Sequence, residues 1–335
     1  MALTAAILAC TTFVMGEGSN VVVGKSYDWH TPYGLVMVNK RGVQKRAMTS
    51  RADDKAAEWR SRFASITFNQ YGRELPNGGM NEAGLVVEVM WLDETRHGPP
   101  DDRPVVGELQ WIQMQLDLYA TASEVARNAT GVRIDPDSAP VHYLACDRTA
   151  ECVAVEVLGG ETVVSRGAHA LTNDSHRRCA AALAEQDASG GRRTLPEGPG
   201  SLDRFVRAST LSRAGRARRD SVSAAFAILD SVRQGEYSQW NIVYEPARGR
   251  VSWRTRQTPT IKSVALARFD ASCAADVMML DIDEKRGGDA ARRFVPYRRE
   301  RNRELVEHSF AKLPADPAAA ARVGAYPDSL SCTAR

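Results

Sequence analysis

The chain has 335 residues, of which 43% are hydrophobic, 25% charged and 7% aromatic, and this composition excludes disordered, collagen-like and low-complexity proteins. The formal net charge of +3 is too small over this length to indicate a nucleic-acid-binding surface. The six cysteines are too few for a disulfide scaffold and lack metal-ligand spacing; they are Cys10, Cys146, Cys152, Cys179, Cys273 and Cys332.

The chain begins with MALTAAILAC, and the apolar stretch continues to Met15, which is too short to cross a bilayer. Four interpretations remain open here. The segment is the end of a signal peptide, or it leads into a first strand with Cys10 in the core. Alternatively, ILAC ends a lipoprotein signal with an acylated cysteine, or Cys10 becomes a mature N-terminus that performs chemistry.

The next part of the chain is rich in strand patterns. The segment CTTFVMGEGSNVVVGKSYDW predicts two strands joined by a turn at residues 16–20. Further strands are expected at LVMVNKRG, at ASITFN and within NGGMNEAGLVVEVMWL, where Asn77-Gly78-Gly79 predicts a hairpin turn. The segments VHYLAC and CVAVEV, further along, predict a hairpin. Cys146 and Cys152 flank its turn, and either a disulfide or two free thiols is compatible with that position.

Helical patterns fill the middle of the chain. ELQWIQMQLDLYA has helical spacing, and TASEVARNATG predicts a helix with Thr121 as N-cap, Glu124 completing a capping box and Gly131 at its end. A helix begins at SHRRCAAALAE, a loop follows at SGGRRTLPEGPGS, and two more helices are expected at about 202–213 and 219–233.

The chain ends mostly in strands, at WNIVYEP, RVSWRT and IKSVALARF, whereas residues 280–335 show no clear pattern. Strands first, helices in the middle and strands last predict a layered α+β domain rather than alternating βαβ units. We therefore expect residues 10–335 to form one domain.

Several common catalytic motifs do not occur in the sequence. There is no GxGxxG, no GxxxxGK[ST], no HExxH, no CxxC and no GxSxG, and the six histidines are dispersed. The basic segments at 213–220 and 292–304 lack interleaved glycines and aromatics, which favours a solvated surface.

Six short segments together carry a family resemblance. They are CTTFV at Cys10, GKSYDW at 24–29, MNEAGL at 80–85, LTN at 171–173, SLDRFVRAS at 201–209 and YSQWNIVYEP at 237–246. In this order and spacing the chain resembles the choloylglycine hydrolase family, which includes penicillin V acylases, conjugated bile acid hydrolases and acyl-homoserine lactone acylases. The resemblance implies a four-layer αββα N-terminal-nucleophile (Ntn) hydrolase sandwich of antiparallel sheets. It also implies a small N-acyl amide substrate, no metal or organic cofactor, and a homotetramer.

A cysteine at a chain terminus carries its own base, because an α-amino group titrates near ~7.7–8.0 and can accept the thiol proton. Removal of residues 1–9 would give Cys10 that amine, and the strand hairpin can return Asp28 beside it. The resemblance implies that Asp28 orients the amine. Lys25 lies where the family usually has an arginine; a lysine still favours the thiolate but lacks the planar five-donor fork. We expect activity with altered pH dependence.

Acyl transfer also needs hydrogen-bond donors directed at the oxyanion. By resemblance these are the side-chain amide of Asn173 and the backbone N–H of Trp91. Arg204 matches the active-site arginine of the family, and Arg207, one helical turn on, is the alternative if the register differs.

Trp29 and Trp91 favour one branch of the family. The pairs DW and VMWL resemble penicillin V acylases of Gram-negative bacteria, which also cleave long-chain acyl-homoserine lactones. Two indoles near the nucleophile would form a flat apolar wall for an acyl group, although two core tryptophans remain an alternative. A conjugated bile acid hydrolase is the second candidate.

A non-catalytic secreted or lipid-anchored binding protein with the same fold is the rival from another class, and Lys25 is the feature that favours it. The short apolar N-terminus predicts a periplasmic or secreted protein whose leader is truncated in the sequence.

Overall fold

The computed structural model describes residues 10–190, 192–215, 220–311, 313 and 317–332. The predicted leader at residues 1–9 lies outside the described residues. The seven helices of these ranges are α1 (Glu108–Leu118), α2 (Ala122–Asn128), α3 (His176–Ala188), α4 (Ser201–Ala214), α5 (Ser221–Ser231), α6 (Arg299–Phe310) and α7 (Pro317–Ala325).

The strands of the first half are β1 (Thr11–Met15), β2 (Val22–Asp28), β3 (Leu35–Asn39), β4 (Val43–Arg46), β5 (Glu58–Arg60), β6 (Ser65–Asn69), β7 (Pro76–Asn81), β8 (Val86–Trp91), β9 (Val105–Val106) and β10 (Arg133–Ile134). The remaining strands are β11 (Val141–Cys146), β12 (Cys152–Leu158), β13 (Glu161–Arg166), β14 (Ala170–Leu171), β15 (Ser238–Glu245), β16 (Arg250–Thr255), β17 (Lys262–Ala265), β18 (Met278–Asp281), β19 (Gly288–Asp289), β20 (Val295–Pro296) and β21 (Ser331–Cys332).

Two large sheets form the centre of the protein. The first has seven strands in the order β14-β1-β2-β15-β16-β17-β19, and the second has nine in the order β13-β12-β11-β8-β7-β6-β3-β18-β20. All pairs in the second sheet are antiparallel, and in the first sheet only β17 and β19 run parallel. The predicted β1–β2 hairpin is confirmed, with Thr11 opposite Ser26 and Met15 opposite Val22.

Alternation along the strands separates the two faces of each sheet. On β1, Val14 packs into the layer between the sheets, whereas Phe13 and Met15 face the helices α3 to α5. On β8, Val86 faces the layer between the sheets and Val87 faces α1 and α2. The layers are therefore helices, first sheet, second sheet and helices, and both faces of β1 and β8 are buried.

The predicted turn at Asn77-Gly78-Gly79 is wrong. These residues lie inside β7, where Gly78 pairs with Glu88 and Gly79 with Val87 on β8. A Cβ atom on Gly78 would clash with the Glu88 carboxylate. The glycine therefore provides space for a buried side chain on the neighbouring strand rather than a chain reversal.

The chain reverses instead just after β7, around Asn81. Its side-chain oxygen accepts hydrogen bonds from the backbone N–H groups of Ala83 and Leu85, and its amide donates to the carbonyls of Leu116 and Tyr119. Asn81 thus stabilises a turn and fastens it to the end of α1.

Other local predictions agree with the structure. The capping box of α2 is present, with Thr121 accepting from the Glu124 N–H and Glu124 accepting from the Thr121 N–H. Of the two possibilities for Cys146 and Cys152, the structure has the disulfide, across paired strands β11 and β12.

The C-terminal part, which had no assigned pattern, extends the second sheet. Strand β18 pairs with β3 and β20 pairs with β18, while Leu305 of α6 packs on Leu35, Met37 and Met279. A second disulfide, between Cys273 and Cys332, fastens the last described strand.

A buried ion cluster lies beneath the small sheet β21-β4-β5. Lys45 of β4 contacts the carboxylates of Glu74 and Asp117, the latter at 2.8 Å, and Trp59 Nε1 donates to Asp117 at 2.7 Å. Burial raises the pKa of Asp117 to about 6, against the lowering effect of Lys45. The lysine therefore compensates two carboxylates that are out of contact with water.

Replacing Lys45 by Met should lower the free energy of unfolding by about 3–5 kcal/mol, because two buried carboxylates lose their shared cation. Arg46→Met is the matched control, since Arg46 and Glu58 form an exposed pair that contributes less than ~1 kcal/mol. Urea titrations should show a smaller loss for Lys45→Met at pH 5 than at pH 8, because protonation removes the uncompensated charge. Equal losses for the two variants would contradict this account.

Candidate active site

Cys10 immediately precedes β1 and lies beside the end of β2. Its side chain is buried, and Sγ is 4.0 Å from the backbone oxygen of Asp28. The β1–β2 register, in which Thr11 is opposite Ser26, brings these two residues together across the hairpin. The sequence prediction that the hairpin returns Asp28 beside Cys10 is therefore confirmed as geometry.

The carboxylate of Asp28 is only half satisfied. Its Oδ1 accepts hydrogen bonds from the hydroxyls of Ser26 at 2.8 Å and Ser238 at 2.5 Å. Its Oδ2 is buried and has no hydrogen-bond partner within the described ranges. Burial raises the pKa of Asp28 to about 6, against the lowering effects of the Ser238 hydrogen bond and of Arg204. A buried acceptor in this state has room for one more donor.

Burial also raises the pKa of the Cys10 thiol, and this effect outweighs the lowering by Lys25 and Arg204. The negative charge of Asp28 also raises the pKa of the thiol. The thiol in this setting needs a base to release its proton.

Arg204 on α4 connects the two sides of the site. The guanidinium Nη1 donates to the carbonyl oxygen of Cys10 at 2.8 Å and to the hydroxyl of Thr11 at 2.7 Å, while Nη2 donates to Asn173 Oδ1 at 2.8 Å. The side chain is fully buried, so a planar donor fork holds the Cys10 segment and the Asn173 amide in one arrangement.

Arg207, the alternative to Arg204, points elsewhere. Its guanidinium donates to the backbone carbonyls of Ser231, Pro196 and Gly198. It therefore fastens the loop before α4 and the end of α5, and the structure favours Arg204 as the arginine beside Cys10.

Asn173 follows β14 and is oriented from three directions. Its amide nitrogen Nδ2 donates to the carbonyl of Trp91 at 2.9 Å, its Oδ1 accepts from Arg204, and its backbone N–H donates to the Ser201 hydroxyl at 2.9 Å. An amide nitrogen carries two hydrogens, and the bond to Trp91 uses one of them. The other is available for a bound group.

Trp91 ends β8, and its backbone is turned toward this site. Leu92 N–H donates to the carbonyl of Pro140, so in the antiparallel alternation the pair Trp91–Val141 exchanges no hydrogen bonds. The N–H and carbonyl of Trp91 therefore face away from β11, and the carbonyl is the one that accepts from Asn173.

The indoles of Trp29 and Trp91 lie next to each other, with ring centroids 6.1 Å apart and planes inclined at 44°. Trp29 directly follows Asp28, is only partly buried and is 4.8 Å from the His30 ring. Trp91 Nε1 donates to Asp93 at 2.6 Å, which fixes its ring. The backbone of Trp91 contacts Asn173 and Trp29 follows Asp28, so the two partly exposed rings are a candidate apolar wall.

Lys25 is fully buried and reaches from the first sheet to the second. Its Nζ donates to the carbonyl of Val89, lies 3.4 Å from Met90 Sδ and lies 3.5 Å from Glu88 Oε2. Its positive charge is the largest influence that lowers the pKa of the Cys10 thiol. The sequence prediction placed Lys25 near the thiol, but it did not identify the carboxylate that accompanies it.

Two further residues missed by sequence analysis support the Asn173 segment. His142 Nε2 is 2.7 Å from the carbonyl oxygen of Thr172, and Nδ1 is 3.1 Å from Glu156. Burial acts to raise the pKa of Glu156, yet hydrogen bonds from His142 and the His176 N–H hold it below its ordinary value. The signal available in the sequence was the pair His142 and Glu156, two polar residues at opposite positions on the strands of the predicted β11–β12 hairpin.

In the part of the chain that the structure describes, no group of three His, Cys, Asp or Glu side chains could hold a metal ion. None of the helices described is long and apolar enough to cross a membrane.

The structure brings together six of the residues predicted for the site, and their catalytic roles stay predictions. They are Cys10, Lys25, Asp28, Asn173, Arg204 and Trp91.

Comparison with known proteins gives two penicillin V acylases. A penicillin V acylase from Pectobacterium atrosepticum is 27% identical over 230 residues, which are 62% of this chain. The matched part spans 60% of that relative's length. The structure of penicillin V acylase from Agrobacterium tumefaciens has a TM-score of 0.78 at 25% identity, covering 86% of this chain and 98% of that one. No protein-family model matches the chain.

A variant of conjugated bile acid hydrolase from Clostridium perfringens has a TM-score of 0.67 at 15% identity, over 81% of this chain and 96% of that chain, which indicates a common fold. The predicted α+β sandwich is confirmed by these structures together with the layers described above. These similarities support the resemblance to the choloylglycine hydrolase family, and the chain has the Ntn-hydrolase fold.

Proposed function

We propose that this protein is an amidohydrolase that cleaves a linear N-acyl amide through an acyl-enzyme thioester on Cys10. The observation that carries the proposal concerns Asp28 Oδ2, a buried carboxylate oxygen of a residue beside Cys10 that has no hydrogen-bond partner among the described residues. Removal of residues 1–9 by autoprocessing or by cleavage of a leader would give Cys10 an α-amino group, which is the donor that this oxygen lacks.

The proposed reaction starts with transfer of the Cys10 thiol proton to its own amine, which titrates near ~7.7–8.0 in unperturbed form. The thiolate attacks the acyl carbonyl, and the tetrahedral oxyanion accepts hydrogen bonds from Asn173 Nδ2 and the Trp91 N–H. Collapse of this intermediate breaks the C–N bond, and the ammonium returns the proton to the leaving amine. Water then attacks the thioester, and the acid is released with regeneration of the thiol.

The proposed substrates are penicillin V and long-chain acyl-homoserine lactones, each with an apolar acyl group attached through an amide. The adjacent indoles of Trp29 and Trp91 support this class, because stacked or tilted rings offer a flat apolar surface. The two penicillin V acylases among the similar proteins favour the first substrate. Glycine- or taurine-conjugated bile acids are the second candidate, and a panel of all three classes would discriminate between them.

We further propose a periplasmic or secreted location and a homotetrameric assembly. The two disulfides, Cys146–Cys152 and Cys273–Cys332, support the location, because such bonds persist in oxidising compartments. The tetramer rests on family resemblance alone, and light scattering on the purified protein would test it.

The rival hypothesis is a lipid-anchored or secreted binding protein without catalysis. Intact mass spectrometry separates the two. Loss of residues 1–9 with an unmodified Cys10 supports the hydrolase, whereas a diacylglyceryl adduct on Cys10 contradicts it.

Replacing Cys10 by Ala or Ser should lower kcat/KM for penicillin V hydrolysis by more than ~10³-fold, because no other group supplies the covalent step. Cys179→Ser is the matched control. Burial raises the pKa of the Cys179 thiol to about 12, and we expect this variant to hydrolyse penicillin V as the wild type does. Hydrolysis of penicillin V or decanoyl-homoserine lactone by either Cys10 variant at a rate close to that of the wild type would show the mechanism to be wrong.

Asn173→Ala should reduce kcat by about 10²–10³-fold with KM altered by less than about threefold, because an oxyanion donor acts in the transition state. Asn241→Ala is the control, since that asparagine lies on β15 and contacts Arg254. A raised KM with unchanged kcat in Asn173→Ala would instead assign this residue to substrate binding.

Trp91→Ala should lower kcat/KM for decanoyl-homoserine lactone at least tenfold more than for a butanoyl analogue, because part of the wall that contacts the distal chain is lost. The short substrate serves as the control within the same variant. An unchanged ratio of the two rate constants would reject the wall.

A further inference from the structure

A buried carboxylate, Glu88, accompanies the lysine beside the nucleophile. Glu88 lies on β8 of the second sheet and points into the layer between the sheets, where it is 1% exposed. Its Oε2 is 3.5 Å from Lys25 Nζ, and its Oε1 accepts a hydrogen bond of 2.5 Å from the hydroxyl of Tyr244 on β15. Both partners belong to the first sheet, so the three side chains join the two sheets.

The surroundings of this trio are built for it. Gly78 leaves the space that the carboxylate occupies, because a Cβ atom there would clash with it. The neighbouring side chains in the same layer, Val23, Phe68 and Ile242, are apolar and buried. A charge in such a layer persists only when a counter-charge and hydrogen bonds accompany it.

Lys25 depends on this one counter-charge. Over the described ranges, Glu88 is the only carboxylate within 4 Å of Lys25 Nζ, the other contacts being the Val89 carbonyl and Met90 Sδ. A buried ammonium without a carboxylate tends to release its proton. The charge on Lys25 is therefore coupled to the presence of Glu88.

That charge lies close to Cys10, because Lys25 is opposite Thr12 in the β1–β2 register and both side chains contact Met90 Sδ. Lys25 opposes the effect of burial on the pKa of the Cys10 thiol more strongly than any other neighbour. Arg204 also lowers the pKa of the thiol, but its influence is the smallest of those that act on it. Its guanidinium already donates hydrogen bonds to Asn173 and to the Cys10 carbonyl.

We propose that Glu88 is a positioning residue for the amidase reaction, which keeps Lys25 charged and directed at the Cys10 thiol, with Tyr244 orienting its carboxylate. This inference rests on the proposed function. A lysine lacks the planar donor fork of an arginine. Lys25 instead acts as a charge that a carboxylate from the opposite sheet holds in place.

Burial raises the pKa of Glu88 to about 7, against the lowering effects of Lys25 and Tyr244. Glu88 then gains a proton as the pH falls through about 7, and Lys25 loses its counter-charge in the same range. The other titratable or charged groups that face this cluster and the thiol are Tyr27 and Asp28 of β2, Tyr244 of β15 and Arg204 of α4.

The test measures the thiol directly on processed protein. The rate of Cys10 alkylation by iodoacetamide is followed against pH, with the adduct located by mass spectrometry. Glu88→Gln should raise the apparent thiol pKa by at least one unit and slow alkylation at pH 7 about tenfold. It should lower kcat similarly with KM changed less than twofold, and Tyr244→Phe should shift both in the same direction by a smaller factor.

Glu74→Gln is the matched control, because it disrupts another buried Lys–Glu pair, with Lys45, that is not among the groups acting on Cys10. It should leave the thiol pKa unchanged. If Glu88→Gln does not fold, the double variant Lys25→Met/Glu88→Leu removes both charges at lower cost and should retain the raised thiol pKa.

An unchanged or lowered thiol pKa in folded Glu88→Gln or in the double variant overturns this inference. The proposed function still stands in that case if the wild-type protein hydrolyses one of the amides. A wild-type protein that cleaves none of the amides overturns the proposed function, and the alkylation profile distinguishes that outcome because it needs no substrate.

Discussion

The hydrogen bonds of Arg204 are the interaction on which the candidate site depends. One guanidinium, fully buried on α4, contacts the carbonyl of Cys10, which precedes β1, and the side-chain oxygen of Asn173, which follows β14. Because the guanidinium is planar and stays charged, it fixes the distance and the orientation of both groups together. The Asn173 amide thereby presents its nitrogen to the Trp91 carbonyl, and that bond uses one of its two hydrogens.

The two sheets contribute different parts of this arrangement. The first sheet provides Lys25 and Asp28 from the β1–β2 hairpin and Cys10 from the residue before it, whereas the second provides Trp91 and the carboxylate of Glu88 from β8. Packing of the sheets is therefore more than a way to bury apolar surface, because it brings Lys25 to its counter-charge. A buried ion pair contributes little to stability on balance, and the position of this one near the Cys10 thiol is the basis of the role proposed for Glu88.

How much the sequence could predict follows from where each partner lies along the chain. Hairpins and caps depend on neighbours, so the β1–β2 turn and the Thr121 capping box were predictable from local patterns. The Asn77-Gly78-Gly79 segment was misassigned because its glycines serve a contact with Glu88 across a strand pair, which no local rule reveals. Strand β18 could not be placed for the same reason, since it pairs with β3 from the far end of the chain. Family resemblance supplied Arg204 and Asn173, whose contact spans 31 positions.

The state of the cysteines gives the last step of the argument for Cys10. Four of the six are paired in disulfides, which leaves Cys10 and Cys179 as the free thiols, and both are buried. Cys179 has the Thr172 hydroxyl and the Asp174 carbonyl as neighbours, and burial raises its pKa to about 12. Cys10 instead has two cations that lower its pKa and a carboxylate with one unpartnered oxygen. Burial keeps both thiols protonated, but only at Cys10 does the environment contain the charges and the vacant acceptor that a terminal amine could use to reverse that effect.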